Sequence, residues 1–158
     1  MGACMITVLL IIHGLLAVAL LGAITHQAFS VGRHAPAGHR SFVTKFATVS
    51  GGSYTAAIAV LFVITSIGGA LLYPQYRLDI RTTLEDLNMR EANGAFEIKE
   101  HLAAIGLGLL PAYYYFWKNP GEGSHLAARK YLTWILAFLV WWSFLVGHIL
   151  NNIKGFGQ

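Results

Sequence analysis

Four long apolar stretches follow one another along the chain, and short polar segments separate them. The stretches cover about residues 5–29, 52–73, 96–117 and 127–152. A helix needs about 20 apolar residues to cross a bilayer, and each stretch is long enough. The pattern therefore predicts an all-α integral membrane protein. We expect a four-transmembrane-helix up-and-down bundle that forms a single domain over residues 1–158.

The polar segment between the second and third stretches contains helix signals of its own. Proline disfavours a helix interior, so Pro74 is predicted to end the second helix. The following TTLEDLNMRE favours a short interfacial helix capped by Thr82 or Thr83, with an acidic residue three positions on. Glu97 and Glu100 lie at the start of the third stretch, where carboxylates favour the positive end of the helix dipole. We expect these two residues to cap the third helix.

Composition supports the membrane assignment. Of the 158 residues, 56% are hydrophobic and only 11% are charged, whereas a soluble domain has about 25% charged residues. The sequence pI of about 9.4 does not indicate a nucleic-acid surface, because the basic residues lie in short loops where they act as topology signals. The only cysteine is Cys4, which excludes an intramolecular disulfide.

The distribution of basic residues predicts an orientation. The first and third connections are short and basic, so they are expected on the cytoplasmic side of a bacterial inner membrane. Both termini and the 74–94 loop are then periplasmic.

Four of the seven histidines lie within the apolar stretches: His13, His26, His101 and His148. Ionisable residues inside membrane spans are rare and indicate function. With a rise of about 1.5 Å per residue, His13, His101 and His148 lie roughly 6 to 12 Å from the bilayer centre, on the side of the termini. His26 lies alone in the opposite half, so no second histidine is expected to partner it.

Small residues accompany these three histidines. Gly14 follows the first histidine, Gly68 and Gly69 lie near the end of the second stretch, and Gly108 lies seven residues after His101. Small residues in membrane helices commonly mark close helix contacts. Here they lie at the depth of the histidines, where a flat macrocycle needs space.

Paired imidazoles at one depth favour axial ligation of one haem b. Neighbouring helices are about 8–10 Å apart, so a diagonal pair accommodates the ring better. The first and third helices are diagonal in a sequential bundle, which predicts His13 and His101 as the iron ligands and His148 as the alternative. Arg77 and Arg81 follow the second span and are the candidates for binding the propionates.

Four spans with histidines at these three positions resemble the small bacterial b-type cytochromes of the cytochrome b561-like kind. The resemblance implies electron transfer between a quinone and a redox partner, within a respiratory or photosynthetic complex. The implied partners are lipid and other subunits. The chain has no nucleotide motif and no large soluble domain, which favours a non-catalytic subunit over a complete enzyme.

Two other classes of protein remain open. The chain fits a cofactor-free structural or assembly subunit whose histidines only contact neighbouring helices. Glu97 and His101 are four residues apart and share a helix face, a spacing that can chelate a metal. With Glu100 they make a small metal or proton carrier the third hypothesis.

Overall fold

The structure is a computed structural model, and it describes residues 3–31, 41, 50–119, 121 and 123–156. The regular structure within these residues is entirely helical. Most of the first basic connection, at 32–40 and 42–49, lies outside the described residues.

The described residues form four long helices and one short helix. In chain order they are α1 (Ala3–Ser30), α2 (Thr55–Gln75), α3 (Arg81–Asp86), α4 (Arg90–Lys118) and α5 (Gly123–Phe156). A single 3-10 turn, Gly51–Tyr54, precedes α2, and a π-helix, Tyr76–Ile80, joins α2 to α3.

Three described segments are long and apolar enough to cross a membrane: Cys4–Ser30, Gly51–Asp86 and His125–Asn152. α4 contains the predicted span 96–117 and is also long. Glu97, Glu100 and the three tyrosines at 113–115 make it less apolar than the other long helices. The structure therefore shows an all-helical chain with three candidate spans, and the four-span bundle stays a prediction.

The second span does not end at Pro74, and that prediction is wrong. The helix passes through Pro74 and continues as the π-helix and α3. Proline removes one backbone donor, and the wider π turn directly after it adjusts the hydrogen-bond ladder. Tertiary contacts hold this extension, because Tyr76 is buried, stacks on Phe96 and donates a 3.0 Å hydrogen bond to Asn93 Oδ1.

The predicted helix caps are also wrong. The hydroxyls of Thr82 and Thr83 donate to the Asp79 carbonyl, at 3.0 and 2.8 Å, instead of capping α3. α4 begins well before Glu97, so this carboxylate is not at the helix start. It accepts a 3.3 Å hydrogen bond from Arg81 Nη1. The polar start of α4 is helical because contacts from the α2–α3 segment hold it.

The long helices contact one another in a ring, since α1 contacts α2 and α5, and α4 also contacts α2 and α5. α1 and α4 are therefore diagonal. The centre is filled by fully buried residues such as Ile24, Ile58 and Leu136. Large apolar residues such as Leu15 and Ile67 are exposed on the outside, as expected for helices that contact lipid.

Candidate functional site

Helix contacts fix the relative depth of the predicted ligands. α1 and α4 both run antiparallel to α2, so they are parallel to each other. The Tyr113 hydroxyl on α4 donates to Gln27 Oε1 on α1, which places these two residues at one level. Tyr113 lies 86 residues after Gln27 in the sequence. Because the two helices are parallel, the residue level with His13 is the one 86 positions later, Lys99. His101 is therefore about 3 Å from the depth of His13.

His13 packs against the paired glycines of α2. A Cβ added to Gly68 would lie 3.0 Å from His13 Nδ1, and one added to Gly69 would lie 3.5 Å from its Cε1. The ring is half-buried against these two glycines. The two glycines thus make room for the imidazole itself, which takes the space that the sequence suggested for a macrocycle.

His101 lies on the outer face of α4. Its side chain is exposed, and Nδ1 lies 2.7 Å from the Glu97 carbonyl oxygen. A carbonyl can only accept, so Nδ1 carries a proton, and in the neutral ring Nε2 is then the nitrogen with the lone pair. Ile105 and Gly108 are exposed on the same helix face, and a Cβ on Gly108 would meet nothing within 4 Å. The structure thus brings His101 to the depth of His13 but does not turn it toward that residue.

His148 is exposed on α5, and its ring stacks on Phe144 with a centroid distance of 6.0 Å. Two tryptophans of the same helix contact α1. Trp141 Nε1 donates a 2.9 Å hydrogen bond to Thr25 Oγ1, and Trp134 makes an edge contact with the Phe29 ring. Gly14 is exposed, and a Cβ there would meet nothing within 4 Å.

The predicted propionate-binding arginines differ in their charge environment. Arg81 forms ion pairs with Glu85, at 2.8 Å, and with Glu97, at 3.3 Å. Arg77 is exposed and donates a 3.3 Å hydrogen bond to the Tyr73 hydroxyl. The charge of Arg81 is already compensated, so Arg77 is the better candidate for an anionic group.

The carboxylates of the proposed carrier site are engaged elsewhere. Glu97 pairs with Arg81 at 3.3 Å, and Glu100 pairs with Lys99 at 2.6 Å. Within the described residues there is no group of three or more His, Cys, Asp and Glu placed to hold a metal ion.

A buried polar cluster at the opposite end of the helices was missed by sequence reasoning. Gln27 is completely buried, and its Nε2 donates to the Gly51 carbonyl at 2.8 Å and to Thr55 Oγ1 at 3.2 Å. Tyr113, also completely buried, donates to Gln27 Oε1. The signal available in the sequence was a glutamine inside an apolar stretch. The cluster ties α1, α2 and α4 together.

Comparison of the chain with models of protein families, with curated proteins and with solved structures found no match. An axial ligand needs a free ring nitrogen and open space beside it, and His101 meets both conditions. His13 does not face His101, because its ring occupies the seat at Gly68 and Gly69. His101 is thus exposed with its Nδ1 bound to a carbonyl, whereas His13 packs against α2 and does not lie beside it.

Proposed function

We propose that the chain is a membrane-spanning electron-transfer subunit that binds one haem b and works within a respiratory or photosynthetic complex. His101 carries this proposal. Its Nδ1 donates a hydrogen bond to the Glu97 carbonyl oxygen, with 2.7 Å between the two atoms. This bond orients the ring and makes Nε2 a better ligand. When bound, the haem supplies one-electron chemistry, and the chain binds and orients it.

The second ligand is proposed from the level of each remaining histidine relative to His101 along the helices. His13 is the first candidate because it lies at nearly the level of His101. For His13 to act as a ligand, its ring must move away from its packing contact with Gly68 and Gly69. His148 is the alternative and is already exposed. The exposure of His101 also supports the proposal that other subunits of a complex cover this face, with a quinone as the electron donor or acceptor.

The proposal includes four spans in a bacterial inner membrane, with the termini and the 74–94 loop in the periplasm. The exposed apolar side chains of α1 and α2 support contact with lipid. The basic residues Lys118, Arg129 and Lys130 at the α4–α5 turn support a cytoplasmic location for that end.

An absorption spectrum of the purified, dithionite-reduced protein tests the haem. We expect the sharp α-band of a reduced b-type haem. His101→Ala should abolish this band, as should the variant of the second ligand, His13→Ala or His148→Ala. His26→Ala is the matched control and should keep it. Absence of the band from the wild-type protein, after expression with sufficient haem, would refute haem binding. An unchanged band in His101→Ala would refute the ligand assignment.

A cofactor-free structural or assembly subunit is the second candidate, and the seat of His13 favours it. An imidazole packed on Gly68 and Gly69 acts as a helix contact without any cofactor. On this hypothesis no haem band appears. His13→Ala then lowers the melting temperature of the protein, because it leaves a cavity beside α2, while His101→Ala leaves the melting temperature unchanged.

A further inference from the structure

The turn between α4 and α5 carries a group of basic and aromatic residues that the proposed electron transfer does not use. We call it the basic turn and define it by Tyr114, Trp117, Lys118, Arg129 and Lys130. Within the described part of the chain, none of its three cations forms an ion pair. At the other end of the helices, Arg81 and Lys99 are paired with glutamates, whereas Arg77 donates to the Tyr73 hydroxyl.

Arg129 is held in place by its neighbours, and among the described residues its guanidinium forms no ion pair. Its guanidinium carbon lies 5.5 Å from the centre of the Trp117 ring. Trp117 Nε1 donates to Thr133 Oγ1 at 3.0 Å, and that hydroxyl donates to the Arg129 carbonyl at 2.7 Å. Arg129 Nε is buried and has no hydrogen-bond partner among the described residues. A charged group without an opposite charge nearby is costly to bury, so the uncompensated guanidinium of Arg129 favours an anion beside it.

Lys118 places a second cation beside the same helix turn. Its Nζ lies 5.6 Å from the centre of the Tyr114 ring. His125 of α5 contacts the end of α4. Its Nδ1 lies 3.0 Å from the Asn119 carbonyl oxygen, and its ring contacts Phe116 edge-on.

We propose that the basic turn binds the phosphate of an anionic phospholipid headgroup, with Arg129 as the principal donor. Arginine binds phosphate through a planar fork of donors, and lysine adds a point charge. Tyrosine and tryptophan are typical of the headgroup level. Basic residues at the cytoplasmic surface attract anionic lipids. The inference rests on the membrane-spanning part of the proposed function and is independent of the haem.

Native mass spectrometry of the full chain in detergent tests this proposal. The probes are phosphatidylglycerol, phosphatidylcholine and inorganic phosphate, each titrated separately. We expect phosphatidylglycerol to bind most tightly, and Arg129→Gln to weaken its binding about tenfold. Arg129→Lys keeps the charge but loses Nε, so an intermediate loss is expected. Arg90→Gln, an exposed arginine at the opposite end of α4, is the control and should bind as the wild type does.

Two results would overturn the proposal. The first is equal binding of phosphatidylglycerol by the wild type and Arg129→Gln, with both eluting as folded protein. The second is equal binding of the three probes, which would assign the basic turn to phosphate in general and not to a lipid headgroup. A haem spectrum measured on the same samples separates failure of this inference from failure of the proposed electron transfer.

Discussion

Substitution of Tyr113 by phenylalanine tests the buried cluster that connects α1, α2 and α4. Phenylalanine keeps the buried ring and removes only the hydroxyl that donates to Gln27 Oε1. The glutamine is completely buried, so water cannot replace the lost donor. The amide would still donate to Gly51 and Thr55, but its oxygen would be left unsatisfied.

The expected loss follows from these contacts. Hydrogen bonds between membrane helices contribute about 0.6 kcal/mol on average and at most about 1.7 kcal/mol. A buried acceptor left without a donor costs about 1–3 kcal/mol. We therefore expect Tyr113→Phe to lower the free energy of unfolding by about 1.5 kcal/mol. For a chain of this size, that loss lowers the melting temperature by about 3–6 °C.

The assay is thermal unfolding in detergent, followed by circular dichroism. Tyr115→Phe is the matched control, because Tyr115 is 55% exposed. Its substitution should change the melting temperature by less than about 2 °C, the scale of a neutral surface change. Gln27→Met combined with Tyr113→Phe should cost less than the sum of the single substitutions, since both remove one interaction. Equal melting temperatures for Tyr113→Phe and the wild type would refute the account of the cluster.

Two further substitutions test other contacts by the same melting assay. Gly68→Ala places a methyl group 3.0 Å from His13 Nδ1 and should cost about 1–3 kcal/mol, whereas Gly22→Ala, with nothing within 4 Å, should be neutral or stabilising. Equal effects of the two glycine substitutions would contradict the seat described for the imidazole. Arg81→Gln breaks the ion pair with Glu97 and should lower the melting temperature less than Tyr113→Phe does. Its effect should fade at high salt, and a salt-independent loss would indicate a packing role for the arginine.

The continuity of the helices depends on contacts between residues that are distant in the sequence. A helix interrupted by Pro74 continues because Tyr76 and Phe96 stack across two helices. The start of α4 is polar, yet it is helical because Arg81 reaches Glu97 from the α2–α3 segment. Helix propensity depends only on neighbouring residues in the sequence. It therefore predicted helix ends and caps at positions where tertiary contacts allow the helices to continue.

The sequence by itself predicted the all-helical class, which the structure confirms, and four apolar stretches, three of which lie in segments long and apolar enough to cross a membrane. It also placed His13 and His101 at nearly one level, because helix rise per residue is nearly constant. It could not determine which way each histidine points. His13 faces the glycines of α2, and His101 faces outward, because packing of neighbouring helices decides the rotation of each helix about its axis. The level of a residue along its helix follows from its position in that helix. Whether two side chains contact each other depends on how all the helices pack.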